Sequence, residues 1–215
     1  MKVLVTGSSN GIGRKVAEKF LKENHEVIGI DIDKQTIFND KYTHINDSIL
    51  SNDLPDISDI DILVNNAGVQ NSKDDIDVNL KGTINITEKY GIQPNIKSIL
   101  FMASASATTG AEFPRYVASK GGVVSYMKYV AQEVAKYGAT ANSISAGGVL
   151  TDLNKHIIED ERLYKAVLNE TLLKRWAEPE EIADLTYYLT VINKSITGQD
   201  ILIDNGEFLK SNFIW

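Results

Sequence analysis

The sequence predicts a single doubly wound α/β domain on a mainly parallel sheet of about seven strands. Three observations predict it. Short β-branched runs alternate with helical patterns along most of the chain. The runs are apolar throughout, as strands covered on both faces are. A glycine-rich turn follows directly on the first of them. Strands alternating with helices imply right-handed βαβ units. At 215 residues the chain is long enough for one sizeable core and short for two domains, so the domain is expected to span 1–215.

Taken in order, Val3-Leu4-Val5 precedes a helical stretch from about Gly11 to Glu23, with Ile12, Val16, Ala17, Phe20 and Leu21 on one face. Val27 to Ile30 is the next strand. Asp33 to Asp59 is polar and weakly periodic, and one short strand near Tyr42 to Ile45 is expected there, with little else. Ile60 to Val64, Ile99 to Met102, Ala141 to Ile144 and Ile201 to Ile203 complete the candidate strands. The long helices are expected over Val117 to Tyr137 and Glu180 to Thr190. The second opens on Glu178-Pro179-Glu180-Glu181, where a missing N–H is harmless and the helix dipole favours acids.

Apolar content of 43% and charged content of 24% are ordinary for a soluble globular protein. The net charge is −7 and no Lys/Arg block stands out, which argues against nucleic acid or an anionic membrane as partner. Without cysteine there is no disulfide, thiolate metal site or Cys nucleophile, which suits a reducing compartment. His25, His44 and His156 match no metal spacing, so no metal is expected. The apolar run Val3 to Val5 is too short for a signal-peptide core, and nothing approaches the roughly 18 apolar residues of a membrane span. A cytoplasmic location is the expectation.

Thr6-Gly7-Ser8-Ser9-Asn10-Gly11-Ile12-Gly13 lies between the first strand and the first helix. Its glycines allow a tight turn and a close approach to a pyrophosphate, which the helix N-terminus then meets with free N–H groups. Glycine-rich turns also serve packing, so the turn alone is weak. Asp31 ends the second strand 18 residues beyond Gly13, where a carboxylate accepts both ribose hydroxyls of an adenosine and repels a 2′-phosphate. No Arg lies beside it or in the glycine turn. This favours NAD over NADP. A solvated strand end is the alternative for a lone Asp.

Tyr116-Val117-Ala118-Ser119-Lys120 puts a phenol and an ammonium four apart on one helix face. A nearby cation favours phenolate and lowers the Tyr pKa, as a general acid for carbonyl reduction or a base for alcohol oxidation requires. Chance also supplies such a spacing, leaving a surface Tyr and a solvated Lys. Twelve residues upstream of the tyrosine, the strand Ile99 to Met102 runs into Ser104, a hydroxyl able to stabilise developing oxyanion character. Ser106 is the competing choice.

With these residues in place the chain resembles the short-chain dehydrogenase/reductase family from end to end. Its T-G-x-x-x-G-x-G is Thr6 to Gly13, its N-N-A-G is Asn65-Asn66-Ala67-Gly68, and its helix-four asparagine matches Asn79. Its Y-x-x-x-K is Tyr116 to Lys120, and its P-G-x-x-x-T is matched by Ala146-Gly147-Gly148-Val149-Leu150-Thr151. Pro179 to Ala183 and Thr197 to Gly206 resemble it too. The resemblance implies a Rossmann-type fold and a homodimer or homotetramer acting on a small-molecule carbonyl or alcohol. It makes Tyr116 the proton donor and acceptor, Lys120 the ribose-binding partner, Ser104 the holder of the substrate oxygen and Asn79 the anchor of a water relay. Gly7, Ser9, Asn10, Gly11, Ile12 and Gly13 would cradle the pyrophosphate. Asp31, Ile32 and Asp47 would meet the adenosine, Asn66, Ala67 and Gly68 the middle of the cofactor, and Gly147, Val149 and Thr151 the carboxamide.

Three departures qualify the resemblance. Ala146 replaces the family's proline, which loosens the loop that follows. The Ser104-to-Tyr116 interval is one residue short. Only 17 residues separate Asp47 from Asn65 and 12 separate Asn66 from Asn79, both about ten short for the family, so the third helix and the approach to the fourth are expected to be trimmed. Residues 152–176 form the expected substrate lid. Its Leu153, Ile157, Ile158, Leu163, Tyr164 and Val167 fall at helical spacing, which reads as core-facing packing. The apolar tail Phe208 to Trp215 reads equally as tucking onto its own domain or packing across a subunit interface. Two other functions stay open. An NADPH-dependent 3-oxoacyl-[acyl-carrier-protein] reductase predicts a basic residue near the adenosine ribose. A catalytically silent nucleotide-sensing protein on the same fold has intact Tyr116 and Lys120 against it.

Overall fold

In a computed structural model, described over residues 1–209, seven strands form one parallel sheet. They are β1 (Lys2–Thr6), β2 (Glu26–Asp31), β3 (Tyr42–Asn46), β4 (Ile62–Asn65), β5 (Ser98–Met102), β6 (Thr140–Ala146) and β7 (Asp200–Ile203). The spatial order β3-β2-β1-β4-β5-β6-β7 reverses between β1 and β4. Such a reversal opens a crevice beyond the strands' carboxyl ends.

Every residue of β5 and β6 is buried, because helices cover both faces of the sheet there. Alternate strand residues serve the two layers. Val3, Val5, Val64, Leu100 and Ile144 pack against α1 (Gly11–Lys22) and α7 (Pro179–Tyr187). Leu4, Ile28, Leu63, Ile99 and Phe101 pack against two other helices. One is α2, which winds as an α-helical turn, Thr83–Ile86, between wider π-helical turns, Asp77–Gly82 and Thr87–Gly91. In it the Thr83 and Thr87 hydroxyls donate to the carbonyls of Asn79 and Thr83, both at 2.7 Å. The other is α4 (Pro114–Val134), preceded by the single turn α3 (Ser106–Thr109). Two short helices, α5 (Lys155–Ile158) and α6 (Glu161–Asn169), lie in the segment between β6 and α7.

Four expectations change. Between Asp47 and Asp61 the third helix is absent, not merely trimmed. The loop there lays Ile49, Leu54 and Ile60 on the sheet, and is tied down where Tyr90 Oη donates to the Pro55 carbonyl at 2.6 Å. Helix α4 begins three residues early, because Pro114 takes the first helical position, where its missing N–H costs nothing. The lid's Leu153, Ile157, Ile158, Leu163, Tyr164 and Val167 are not core: none is buried, and Leu153, Ile157 and Val167 wall a cleft. They lie over the end of the sheet and not on its faces. Ala146 does not loosen its loop, since it pairs with Ile203 in the sheet and Gly147 N donates to the Ile203 carbonyl at 3.0 Å. Of the tail Phe208 to Trp215, Phe208 and Leu209 are exposed, and 210–215 lie outside the described residues. Among the described residues no helix is long and apolar enough to cross a membrane.

The loop's packing is checked by Ile60→Ala, expected to cost about 2–5 kcal/mol in urea unfolding, as for a fully buried aliphatic. A loss below about 1 kcal/mol would show that the loop does not act as core.

Candidate active site

One cleft of roughly 1130 Å3 runs along the carboxyl ends of the strands and gathers the residues singled out by their motifs, except Ser9, Gly13 and Asn79, which lie behind its wall. At its centre the glycine turn bends with Gly7 at φ +68°. A Cβ on Gly13 would sit 2.0 Å from the Gly7 carbonyl oxygen and 2.3 Å from Asn66 Nδ2. Only glycine fits such an approach. The Asn66 amide donates to the Thr6 and Gly7 carbonyls, both at 3.1 Å, while Thr6 Oγ1 accepts from the Asn66 and Ala67 N–H groups. Helix α1 then starts at Gly11 with no side chain capping it and no acid in its first turn. Its first N–H groups and the positive dipole end are left for a ligand.

Beside the turn, Asp31 accepts from Ser9 N at 2.8 Å and from Asp33 N at 2.9 Å. Each oxygen keeps a second lone pair for a ribose hydroxyl. Asn10 Nδ2 donates to Asp33 Oδ2 at 3.0 Å, so a second acid joins this end. Ile32 stands exposed next to it, and Asp47, whose N–H donates to the Asp31 carbonyl at 3.0 Å, lines the cleft with Ser48. Thr151 leans over the glycine turn, within 3.5 Å of where a Gly11 Cβ would lie, and Gly147 and Val149 continue that wall.

At the other end lie Tyr116 and Lys120, one turn apart and both buried. Lys120 Nζ donates to the Met102 carbonyl at 2.8 Å and sits 5.7 Å from the Tyr116 ring centre. Ser104 interacts with Tyr116 through its hydroxyl, and accepts from Ser106 Oγ at 2.9 Å. The two serines therefore form a series, Ser104 against the tyrosine and Ser106 behind it. Asn79 is buried on α2 with its side chain fully engaged: Oδ1 accepts from Val69 N, and Nδ2 donates to Val69 O and Ser119 Oγ. It thus fastens the Asn66–Gly68 loop to α4. Gly68 faces both Asn79 and Lys120 Nζ, so the motif residues meet in one place.

Residues 54–207 match the family model described as enoyl-(acyl carrier protein) reductase. The chain belongs to the short-chain dehydrogenase/reductase family. It is 29% identical to glucose 1-dehydrogenase of Gluconobacter oxydans over 248 positions, covering 99% of this chain and 93% of that protein. The alignment is longer than the chain because the relative carries insertions. It is also 29% identical to a 3-oxoacyl-[acyl-carrier-protein] reductase of Salmonella typhimurium, covering 96% of each. Among solved structures, the aldohexose dehydrogenase of Thermoplasma acidophilum superposes with TM-score 0.90 at 26% identity, over 100% of this chain and 96% of that one. A 4-hydroxyisoleucine dehydrogenase complexed with NADH superposes at 0.86 with 25% identity, over 98% of this chain and 99% of that one. As a short-chain dehydrogenase/reductase the chain is an oxidoreductase acting on CH–OH or carbonyl groups with a nicotinamide cofactor.

The electrostatics of this dehydrogenase/reductase differ from the sequence expectation. Burial pushes the Tyr116 phenol up to about 12, and the neighbour that pulls it down is Ser104, not Lys120. Burial also pushes Lys120 down to about 8, with the buried Asp75 opposing that shift. With its value near 8, Lys120 is already neutral where a phenol near 12 ionises, and so does little for the phenol. Sequence reasoning missed Met102 and Ser119, which act through backbone and hydroxyl contacts that leave no motif. It also missed the cleft residues Glu112, Glu170, Trp176 and Glu207, which lie in segments without spacing signals. No group of three potential metal ligands occurs among the described residues.

Because the folded value of Lys120 lies below its unfolded value of 10.5, the unfolded chain holds a proton that the folded chain has released between about 8 and 10.5. Its burial penalty is therefore full below about 8, and stability rises with pH through that window. Lys120→Met should raise urea stability at neutral pH by about 1–3 kcal/mol, a gain that shrinks towards pH 10. A variant less stable than the parent at pH 7 would contradict this.

Proposed function

We propose that the chain transfers a hydride between NAD(H) and a secondary alcohol/ketone pair, with Tyr116 as general acid/base. The observation that carries this reading is the single cleft joining an uncapped helix start and glycine turn to the buried Tyr116, Ser104 and Lys120. The turn has the form a dinucleotide needs, since a Cβ at Gly7 or Gly13 would close it. Backbone groups of Asn10 to Gly13 would hold the pyrophosphate on the turn that Gly7 and Ser9 shape, Asp31 and Ile32 the adenosine ribose and adenine, and Asp47 the adenine edge. Asn66, Ala67 and Gly68 would lie along the middle, with Gly147, Val149 and Thr151 at the carboxamide. Bound there, the nicotinamide supplies the hydride acceptor or donor.

Tyr116 Oη then moves the proton. A phenol held near 12 is a proton donor throughout the neutral range, which serves ketone reduction; alcohol oxidation needs the ionised form. Ser106 donates to Ser104, so the Ser104 proton is available for the substrate oxygen or for Tyr116. Lys120 holds the ribose and, while protonated, favours phenolate. Asn79 keeps the Asn66–Gly68 loop in place through Val69 and would anchor a water in a relay of protons to solvent. The whole chain works as one binding and catalytic unit, assembled as a homodimer or homotetramer.

NAD is favoured over NADP because Asp31 and Asp33 stand at the ribose end, and Lys120 is the one Lys or Arg that lines the cleft among the described residues. The same observation opposes an NADPH-dependent 3-oxoacyl-carrier-protein reductase, the second reading, which the similarity to the Salmonella enzyme favours.

Fluorescence titration should show NADH binding at least tenfold more tightly than NADPH; equal binding would sink the Asp31 argument. Tyr116→Phe should lower turnover at least about a hundredfold with NADH affinity kept, the usual size of a general-acid contribution. Oxidation should accelerate steadily with pH while reduction stays flat through neutrality. Ser104→Ala should be the more damaging of the two serine variants, and the reverse order would exchange their roles.

A further inference from the structure

We propose that His44 is a positioning residue for cofactor choice, holding the loop of Asp31 and Asp33 so that it accepts a free adenosine ribose and repels a 2′-phosphate. The proposal rests on the reading of the Asp31 end as the NAD site and names the residue that sets its selectivity. Residues 32–41, between β2 and β3, form no helix or strand, so side chains must fix where the two acids stand.

Two residues of β3 do so. Asn46 Nδ2 lies against the carbonyls of Asp31, Ile32 and Asp33 at 3.1, 2.8 and 3.1 Å, but Asn46 is exposed to water. His44 Nε2 lies 2.9 Å from the Asp33 carbonyl, and the Asp33 N–H donates in turn to Asp31 Oδ1 at 2.9 Å. His44 therefore grips the residue that orients Asp31. Its other nitrogen leads inward. Nδ1 is 3.1 Å from Tyr42 Oη, which is 2.9 Å from Ser8 Oγ. Tyr42 is buried, and Ser8, inside the glycine turn, is wholly so. Opposite His44 on β2 stands Gly29, where a Cβ would lie 2.1 Å from both hydroxyl oxygens. Glycine at that position in a strand is what lets the two hydroxyls approach.

The chemistry of the four groups gives this series one direction. A carbonyl only accepts, so Nε2 carries the ring hydrogen. Nδ1 of the neutral ring then accepts from Tyr42, and Tyr42, its hydrogen spent, accepts from Ser8. Every group in the line is used, and a buried polar series so satisfied is rigid. It also joins two parts of the cofactor cradle. Ser8 sits between Gly7 and Ser9, and the Ser9 N–H donates to Asp31 Oδ2 at 2.8 Å. Thr36 Oγ1 donates to the Ser9 carbonyl at 2.6 Å, tying the same loop to the same turn. Asp31 is thus held from the turn on one side and through Asp33 on the other. An apolar side chain at position 44 keeps the strand but releases the Asp33 carbonyl, and the two acids lose their fixed place.

The test measures NADH and NADPH binding to the full chain by fluorescence titration, in the parent and in three variants. The parent should bind NADH at least tenfold more tightly than NADPH. His44→Leu should reduce that ratio below threefold, mainly by weakening NADH. Tyr42→Phe removes one oxygen and keeps the ring, and should lower the ratio at least twofold. His44→Gln keeps a donor for Asp33 and an acceptor for Tyr42, and should retain the ratio within twofold. Ring-nitrogen NMR, with the His44 signals assigned by their loss in His44→Gln, should show the hydrogen on Nε2 in the chain without cofactor. A ratio unmoved in His44→Leu or in Tyr42→Phe would overturn the proposal, as would a hydrogen on Nδ1. Equal weakening of both cofactors would overturn it too, since that marks a purely structural role. If His44→Leu does not fold, Tyr42→Phe decides alone. A parent without NADH preference overturns the Asp31 reading and this proposal with it; a preference that the variants leave intact overturns this proposal alone.

Discussion

Gly13 has no room for a side chain, and much of the molecule follows from that. The Gly7 carbonyl and the Asn66 amide already occupy the space a Cβ would take, so the turn after β1 and the turn after β4 are locked face to face. Thr6 completes the lock by accepting two N–H groups from the second turn. From there a continuous path leads to the reacting groups. Gly68 lies against Asn79 and Lys120, Asn79 donates to Ser119, and Ser119 donates to the Tyr116 carbonyl. The cofactor cradle and the proton-transfer pair are thus two ends of one hydrogen-bonded frame. Such a frame supplies orientation, which is the protein's main contribution in a reaction whose bond chemistry belongs to the cofactor.

The same frame explains how the chain can be short. Its contacts run between the carboxyl ends of β1, β4 and β5 and the first turns of α2 and α4. None passes through the segment from Asp47 to Asp61, where the helix is missing. What that segment must do is keep water from one face of β1 and β2, and a loop carrying Ile49, Leu54 and Ile60 does so. An irregular chain over a sheet leaves backbone polar groups to be satisfied. Side chains from α2 answer part of this, with Asn85 donating to the Ile49 carbonyl and Tyr90 to that of Pro55.

Legibility in the sequence tracked locality. The glycine turn, the buried strands and the Tyr116–Lys120 spacing are local patterns, and each specifies its geometry through backbone sterics or helical period. The start of α4 was also written locally, in Pro114, but it lies ahead of the apolar periodicity that marked Val117. What stayed hidden was long-range. Nothing around Lys120 announces that a backbone carbonyl at Met102 accepts its hydrogen bond. Nothing around Leu153 or Val167 tells a helix over a cleft from a helix over a core, since both present an apolar stripe. Glu112, Glu170 and Glu207 belong to three segments that only the closed sheet brings together.

Burial sets the remaining tension. Tyr116 and Lys120 are each pushed towards their neutral forms, the phenol to about 12 and the amine to about 8. A pair so placed is poorly suited to stabilise its own charges, yet the reaction needs a mobile proton between them. The frame resolves this by position. Ser104 reaches the phenol, Ser106 supports Ser104, and the Met102 carbonyl fixes the ammonium without neutralising it. The buried Asp75 raises the lysine's value and so favours its protonated form. The site therefore holds its ionisable groups at an energetic disadvantage and relies on fixed dipoles to keep them usable. That cost falls on residues the fold would bury more cheaply as apolar side chains, which is the physical mark of a site kept for chemistry.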